Sequence, residues 1–481
     1  MKKRVASVLL ALLMVLSLLS VQAWATEPSL TEAQQNVTIG NVNGVGEIDI
    51  SDLDCLYAYL TRGVNIGSLS DDQFQEAADL NKDHVVDIYD LQLLYEVVSG
   101  SRSIDNLPGG EKKKVKIGFI CLDDENSMPG YCFINDAKAA IANLGLTEDD
   151  YILKTNVPEG QECYEIALEL VEDGCNLIFG NSYGYEAYML QAANEFPTVQ
   201  FCHFSGTRAH TEGLSNYHNA FASIYDGRYL TGIAAGMKLN EMIAAGKFTA
   251  AEAKIGFVAS FDYSEVISAY TAFFLGARSV CPTVTMDVAC TYRWYDKQLE
   301  KTAADTLIAR GCKLISQTSS SMGAPVACEN AGVPNVACDG CYLEQAPNTY
   351  IISSRINWTP YFEYAVRCVQ NGTAIDTDWT GTLSTGSVVL TELNIAVAAA
   401  GTAEAIKAAA AKLESGELHV FDCSTFTVGG TKVASYWADV DDDPDYSPDT
   451  QVVVDGHVAE SFFRSAPYFN LHIDGITLLL F

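Results

Sequence analysis

Short apolar runs alternate with helix-like segments across residues 115–338, and no other feature of the sequence restricts the possible folds as strongly. Apolar runs separated by amphipathic segments of about 10–15 residues predict parallel strands joined by right-handed helical crossovers. The series stops at a long apolar helix predicted at 229–244 and then begins again, which predicts an α/β fold with two lobes. The predicted strands lie at 115–122, 151–156, 176–180, 199–203, 254–259, 283–291, 313–317, 333–337 and 350–354, and the other predicted helices lie at 137–144, 163–173, 186–195, 266–278 and 297–310.

Aromatic and polar side chains are concentrated in the loops that follow these strands. Ligands of parallel α/β sheets bind beyond the carboxyl ends of the strands, so these loops form the predicted binding site. Flat apolar faces with a few carboxylates and amides suit a small planar ligand, because rings stack on its faces while polar groups bind its edge. The candidate ligand-binding residues are Tyr131, Phe133, Ser182, Tyr183, Phe261, Glu265, Trp294, Asp339, Asn357 and Trp358.

The N-terminal residues have the pattern of a signal peptide. Basic residues at 2–4 precede an apolar run at 8–19, and Ala23-Trp24-Ala25 offers a small-x-small cleavage site, so we expect residues 1–25 to be removed on export. The apolar run is too short to span a bilayer, and no later stretch is predicted to span one. We therefore expect a secreted protein that is extracellular or associated with the cell surface.

The charge balance of the chain excludes one large class of partner. Its 61 acidic and 29 basic residues give a net charge of −32, and a surface this acidic repels nucleic-acid backbones. The 14 cysteines show no zinc-ligand spacing, and most lie in apolar runs as small buried side chains. The pair Cys338-x-x-Cys341 favours a local disulfide over a metal site.

Residues 37–100 contain an internal repeat of an acidic loop followed by an apolar helix. Oxygen-bearing side chains recur in each copy at spacings that surround one hard cation, which predicts two calcium sites. The first loop has Val45 where the second has an aspartate, so we expect weaker binding in the first. The candidate ligands are Asn41, Asn43, Asp49 and Asp52 in the first loop and Asp79, Asn81, Asp83, Asp87 and Asp90 in the second.

This all-α repeat resembles a dockerin. The resemblance implies Ca2+ as a cofactor and, as a partner, a cohesin domain on a scaffold or cell-surface protein. His84 departs from the dockerin pattern, which usually has a turn glycine at that place. Residues 101–114, which include Pro108-Gly109-Gly110, are predicted to form a polar linker.

Several motifs occur in a fixed order within residues 114–422. They are NVPEG at 156–160, LIFGNSYGY at 177–185, DGRY at 226–229, GFVASF at 256–261 with Glu265-Val266, LGAR at 275–278 and HVFD at 419–422. Together they resemble the basic membrane protein family of ABC-transporter solute-binding proteins, which includes purine-nucleoside receptors. The resemblance implies two Rossmann-like lobes of the type I periplasmic binding protein class at 115–430, followed by a C-terminal extension at 431–481.

The same resemblance implies a non-catalytic receptor for a purine nucleoside or base, with an ABC permease as a candidate partner. The two stacking aromatics of the family match Tyr131 and Phe261, and its ribose-binding carboxylate matches Asp339. Its cleft loop and its returning hinge strand match, respectively, Ser182-Tyr183 and Asn357-Trp358. The sequence departs from the family at Met128-Pro129-Gly130, where the family usually has an acidic turn. Because this carboxylate is missing, small solutes other than purines remain alternative ligands.

Two other functions fit parts of the sequence. The run Gly180-Asn181-Ser182-Tyr183-Gly184 fits the G-x-S-x-G nucleophile elbow of a serine hydrolase, with His419 or His457 as the base. A dockerin is usually carried by carbohydrate-active proteins, so a glycan-binding or glycan-degrading protein is the second alternative.

Overall fold

The computed structural model describes residues 37–82, 85–104, 107, 113–440 and 447–479. The predicted signal peptide and the candidate calcium ligand Asp83 lie outside these residues. The chain divides into two compact units: the first extends to Lys114 and includes Gln370–Thr373, and the second comprises Val115–Val369 and Ala374–Phe481. The boundary after Lys114 coincides with the end of the predicted linker.

The first unit is helical and follows the loop-helix repeat. Its helices are α1 (Ile50–Arg62), α2 (Asp71–Ala78) and α3 (Ile88–Val98). Helices α1 and α3 begin with the same cap, because Asp49 accepts a hydrogen bond from the Ser51 backbone N–H and Asp87 accepts one from the Tyr89 backbone N–H. Apolar side chains from all three helices form one core. The two copies of the repeat therefore begin their helices in the same way.

The described part of the second unit contains two large sheets, whose strands come from distant parts of the chain, and three two-stranded sheets. Its strands are β1 (Ile117–Ile120), β2 (Tyr151–Lys154), β3 (Leu177–Gly180), β4 (Gln200–Phe204), β5 (Tyr217–Ala222), β6 (Lys254–Ala259), β7 (Thr285–Cys290), β8 (Leu314–Gln317), β9 (Asn335–Cys338), β10 (Tyr350–Ile356), β11 (Asp378–Gly381), β12 (Val388–Leu390), β13 (Thr427–Val428), β14 (Thr431–Lys432), β15 (Trp437–Ala438), β16 (Thr450–Gln451), β17 (Val453–Val454), β18 (His457–Val458) and β19 (Ile476–Leu479). The six-stranded sheet of the first lobe has the order β11-β5-β4-β3-β1-β2 and is parallel. The seven-stranded sheet of the second lobe has the order β12-β10-β9-β8-β6-β7-β19, and only β12 runs antiparallel. Strands β13–β18 form the three two-stranded sheets.

Helices connect the strands of each sheet. They are α4 (Met128–Asn143), α5 (Gln161–Glu172), α6 (Glu186–Glu195), α7 (Ala209–Glu212), α8 (Ile224–Ala244), α9 (Ser264–Val280), α10 (Lys297–Ala309), α11 (Gly323–Ala331), α12 (Thr359–Asn371) and α13 (Thr402–Glu414), with short 3-10 turns at Glu148–Asp150, Tyr183–Tyr185 and Ala250–Glu252. Every predicted strand and helix of the alternating series is present. Helix α4 begins nine residues and α8 five residues before the predicted start, and the other ends differ by at most two residues. Among the described residues, no helix is both long and apolar enough to cross a bilayer.

Helices α8 and α9 pack with their backbones in contact. A Cβ added to Gly276 of α9 would lie 2.0 Å from the carbonyl oxygen of Tyr229, and one added to Gly232 of α8 would lie 2.1 Å from that of Phe273. Backbone atoms cannot move aside as a flexible side chain can, so these glycines fix the distance between the two helices. The contact anchors α8, the first connection between the lobes, on the second lobe.

The chain passes between the lobes three times: after β5, after β10 and after β11. Asp136 of α4 lies at the second crossing, where its carboxylate accepts hydrogen bonds from Arg355 Nη1 at 3.0 and 3.2 Å and from the Trp358 backbone N–H at 2.9 Å. Its backbone oxygen accepts a hydrogen bond from Thr359 Oγ1 at 3.1 Å. Asp136 therefore joins the first lobe to the end of β10 and holds Trp358 in position.

The segment 431–481 was predicted as a C-terminal extension, but its described residues, 431–440 and 447–479, contribute to the second lobe. Its last strand, β19, pairs in parallel with β7, and the side chains of Tyr436 and Phe469 belong to the core of that lobe. Residues Ile476–Leu479 thus form an edge strand of the seven-stranded sheet.

The expected disulfide between Cys338 and Cys341 is not formed. All 14 cysteines lie in the described part of the chain and are free thiols. Cys338 is buried and its thiol donates towards Asp339 Oδ2 at 3.4 Å, whereas Cys341 is exposed. The left-handed backbone of Asp339, with φ of 62°, turns the chain between the two cysteines.

Candidate functional site

A cavity of about 200 Å³ lies between the lobes of the second unit. The carboxyl ends of the strands of both sheets face it, as expected for this type of sheet. Its lining from the first lobe comprises Leu122, Asp123, Gly130, Asn181, Ser182, Tyr183, Ser205 and Phe221. The second lobe and the crossings contribute Ile224, Arg228, Glu265, Val266, Ala269, Trp294, Thr318, Ser320, Asp339, Ile356 and Trp358.

Six of the predicted ligand-binding residues line this cavity. They come from both lobes and from the second crossing, and they are Ser182, Tyr183, Glu265, Trp294, Asp339 and Trp358. The cavity therefore unites side chains that are up to 176 positions apart in the sequence, from Ser182 to Trp358.

The other four predicted residues lie outside the lining. Tyr131 is 52% exposed, on the solvent side of α4. Phe133 is a core residue of the first lobe, because its ring packs against those of other phenylalanines at 5.1–6.4 Å. Asn357 is held by the backbone, since its Nδ2 donates to the Gly386 carbonyl oxygen at 3.0 Å. Phe261 lies behind the lining, as part of an aromatic stack.

That aromatic stack joins the two lobes. Tyr183 of the first lobe stacks on Tyr263 of the second, with ring centroids 5.2 Å apart and planes inclined by 21°. Tyr263 stacks in turn on Phe261 at 5.2 Å, and Phe261 packs against Trp294 at 5.0 Å. Phe261 thus supports the rings that face the cavity and the contact between the lobes.

Several lining residues were not among the predicted ones. Asp123, Asn181, Ser205 and Thr318 each follow the carboxyl end of a strand, so the rule that selected the loops also applies to them. Arg228 lies inside helix α8, and the only signal for it was its place in the DGRY motif. A helix interior carries no loop signal, which explains why sequence reasoning missed it.

Asp339 is held in a strained conformation at the cavity. Its φ of 62° lies in the left-handed region, and so does the φ of 66° of Ser205, another lining residue. Ser320 Oγ donates to Asp339 Oδ2 at 3.2 Å, and the Cys132 thiol of the first lobe donates to the Asp339 backbone oxygen at 3.3 Å. The carboxylate is therefore oriented by its neighbours before any ligand arrives.

Acidic groups dominate the charge of the cavity. Burial, and next the negative charge of Asp339, raise the pKa of Glu265 to about 7, while a hydrogen bond with Ser205 opposes the shift. Burial also raises the pKa of Asp123. The cavity thus contains an acid, Glu265, that can hold a proton near neutral pH.

Ser182 lacks the partners of a catalytic serine among the described residues. Its Oγ donates to Glu159 Oε1 at 2.5 Å, and the ring of His203 contacts the Ser182 backbone oxygen rather than the hydroxyl. His419 and His457 stack on each other with centroids 3.6 Å apart, and His419 lines a separate cavity of the second lobe. The geometry therefore does not assemble the hydrolase triad proposed as an alternative.

Glu300 supports the serine-rich loop of the cavity and gives a pH-dependent prediction. It is fully buried and accepts hydrogen bonds from the Ser321 backbone N–H and Oγ, yet burial raises its pKa from 4.5 to about 7. Between these values the folded state retains a proton that the unfolded state has lost, so the free energy of unfolding falls as pH rises through this window. Glu300→Gln does not titrate, so its melting temperature should fall less between pH 4.5 and 8 than that of the wild type.

The exposed Glu241→Gln variant is the control and should follow the wild type. Equal slopes of melting temperature against pH for Glu300→Gln and the wild type would contradict the prediction.

The acidic loops of the first unit bring several oxygen-bearing side chains close together. Burial, followed by the charges of Asp87 and Asp79, raises the pKa of Asp90 to about 8. The buried Oδ1 of Asn41 has no hydrogen-bond partner among the described residues. Within those same residues no group of three or more His, Cys, Asp or Glu side chains is arranged around one metal position, so a cation would also need amide and backbone oxygens. The donor set fits a hard cation such as Ca2+.

The fold of the second unit is that of solved solute-binding proteins. The chain is similar to an ABC transporter solute-binding protein from Conexibacter woesei, with a TM-score of 0.52 and 20% identity, over 63% of this chain and 98% of the other. It is also similar to one from Aeropyrum pernix, with a TM-score of 0.54 and 17% identity, over 64% and 93%. The predicted α/β fold of the periplasmic binding protein class, with parallel sheets, is confirmed.

Two curated relatives are similar in sequence. A purine-binding protein of Brucella abortus is 28% identical over 264 residues, which cover 54% of this chain and 71% of the relative. A putative ABC transporter glucose-binding protein of Haloferax volcanii is 32% identical over 218 residues, which cover 45% of this chain and 52% of the relative. The chain thus spans about half the length of the second relative.

The profile of the Bmp family, described as ABC transporter substrate-binding protein PnrA-like, matches residues 147–418. This range includes most strands of both sheets and most of the cavity lining. The match confirms the family resemblance predicted from the motifs, and the chain belongs to the Bmp family of PnrA-like ABC transporter substrate-binding proteins.

Proposed function

We propose that this protein is a secreted receptor that traps a purine nucleoside or base between its lobes and is tethered through its first unit. The ligand part rests on one observation, the cavity lined by Tyr183 of the first lobe and by Trp294 and Asp339 of the second. A ligand that contacts both lobes favours the arrangement in which they are close, so binding and closure are coupled. Family membership supports a role in which the protein delivers the ligand to an ABC permease.

A purine fits the chemistry of this lining. The rings of Tyr183, Trp294, Phe221 and Trp358 offer flat apolar surfaces for a base. Asp339 offers an oriented carboxylate that can accept hydrogen bonds from hydroxyl or ring N–H groups. The similarity to a purine-binding protein supports the same class of ligand.

Glucose is the second candidate, and one observation favours it. Carboxylates are suitable acceptors for sugar hydroxyls, and Asp123, Glu265 and Asp339 all line the cavity. The relative from Haloferax volcanii has a name that refers to glucose binding.

Isothermal titration calorimetry on the full chain distinguishes these ligands. We expect saturable binding of inosine, guanosine, adenosine or the free bases, and no saturation with glucose at the same concentrations. Trp294→Ala should weaken nucleoside binding, whereas Trp437→Ala, whose side chain is 54% exposed elsewhere on the second lobe, should not. Binding of glucose without binding of any purine would overturn the proposal.

For the tether, we propose that the first unit is a dockerin-like module that binds Ca2+ and a cohesin domain. The fit of the loops to a hard cation supports calcium binding. Ile50 and Ile88 occupy equivalent positions at the start of α1 and α3 and are 47% and 67% exposed. Exposed apolar side chains at equivalent helix starts suit a protein-binding surface. Export through the predicted signal peptide would place this surface outside the cell.

Calcium should stabilise the first unit. We expect CaCl2 to raise the temperature of its unfolding transition in the full chain relative to EDTA, because binding to the folded loops alone adds stability. Asp79→Ala should remove most of the effect, since it deletes a charged ligand of the stronger loop. Asn41→Ala, the equivalent change in the weaker loop, should remove less. Unfolding curves that are identical in CaCl2 and EDTA would contradict the prediction.

A further inference from the structure

Arg228 is a buried cation that forms no ion pair with any described carboxylate, although it interacts with the Cys338 thiol. Its side chain is 4% exposed and lines the cavity between the lobes. Nη1 donates to the Ala337 carbonyl oxygen at 3.3 Å, and Nε has no hydrogen-bond partner among the described residues. No described carboxylate lies within 4.0 Å of the guanidinium. Burying such a group is costly unless something completes its hydrogen bonds, and the cavity is the place from which a partner can come.

The rest of the lining restricts what that partner can be. Asp123, Glu265 and Asp339 face the same cavity, so a phosphate or carboxylate on the ligand would be repelled by acidic groups. A neutral acceptor on the ligand, such as a ring carbonyl oxygen, can accept a hydrogen bond from the Arg228 guanidinium without this repulsion. An N–H group of the ligand beside that carbonyl would donate a hydrogen bond to one of the cavity carboxylates.

We propose that Arg228 determines specificity by donating to a carbonyl oxygen of the ligand, so that the receptor prefers 6-oxopurine nucleosides to adenosine. This inference rests on the proposed purine ligand and adds which purines are selected. Guanidinium groups recognise the O6 and N7 acceptors of an oxopurine through paired N–H donors. Adenosine has an amino group at C6, so its N–H donors would face the N–H donors of the guanidinium. The guanidinium would then lack an acceptor.

Inosine and adenosine test the inference, because they differ only at the N1–C6 edge of the base. By calorimetry on the full chain we expect the wild type to bind inosine at least about tenfold more tightly than adenosine. In Arg228→Gln, the affinity for inosine should fall to about that for adenosine, while adenosine binding changes little. Arg228→Lys, which keeps one donor group, should retain part of the preference. Arg310→Gln, a change at a surface arginine paired with Asp287, should keep the wild-type ratio.

Each outcome decides for or against Arg228. Equal affinities of the wild type for inosine and adenosine overturn the inference even if both bind, and so does an Arg228→Gln variant that keeps the preference for inosine. Failure of the wild type to bind any purine overturns the proposed function itself, and the inference with it. If Arg228→Gln does not fold, the wild-type ratio and Arg228→Lys still decide the question.

Discussion

Gly276→Ala is expected to lower the melting temperature of the second unit by roughly 5 °C or more. The added methyl would lie 2.0 Å from the Tyr229 carbonyl oxygen, so α8 and α9 must move apart. Overpacking of this kind costs about 1–3 kcal/mol and more where the obstacle is backbone, and one kcal/mol corresponds to about 2–4 °C in a domain of moderate size. Alanine gains only about 1 kcal/mol over glycine in helix propensity, so the clash outweighs the gain.

Differential scanning calorimetry of the full chain provides the measurement. Glu241→Ala, on the exposed face of α8, is the matched control and should leave the melting temperature nearly unchanged. A Gly276→Ala protein as stable as the wild type would show that the two helices are not held at this distance.

Asp339→Asn should weaken ligand binding by about tenfold or more. The change removes the charged acceptor that Ser320 orients, and a hydrogen bond to a charged group contributes about 1.5–3 kcal/mol. Asparagine is the suitable replacement because it tolerates the left-handed backbone at this position, where φ is 62°. Alanine would add backbone strain to the loss of the carboxylate, and the two effects could not be separated.

Titration of the ligand that saturates the wild type gives the affinity, and thermal unfolding checks the fold. Asp305→Asn, at a surface carboxylate of α10 paired with Lys301, is the matched control and should bind like the wild type. Wild-type affinity in Asp339→Asn, with an unchanged melting temperature, would remove Asp339 from the binding site.

The alternating core of the fold was predictable because buried parallel strands are continuous apolar runs. Strand β5 was missed because His218 and Asn219 interrupt its apolar pattern, although both side chains are buried. In the structure the His218 ring contacts the Asp376 carbonyl oxygen and Gln200 Oε1, and Asn219 Oδ1 accepts a hydrogen bond from the Ala209 backbone N–H. These partners lie on other segments, 10 to 158 positions away in the sequence, and leave no periodic signal.

The candidate site was predictable to the extent that it follows strand ends. Trp294, Asp339 and Ser182 were found by that rule, and all three line the cavity. Phe133 was misplaced because it is on an amphipathic helix, where the sequence does not show which aromatic faces the core and which faces the cleft. Arg228 required knowledge of how α8 enters the second lobe, which only the tertiary structure provides.

The sheet order described above has a consequence for synthesis of the chain. The first lobe needs β11, which follows β6–β10 of the second lobe in the chain, and the second lobe needs β19, which follows β11. The first lobe therefore cannot complete its hydrogen-bonded sheet until strands β6–β10 of the second lobe have been made. Such late completion would delay stable folding of the first lobe in the nascent chain.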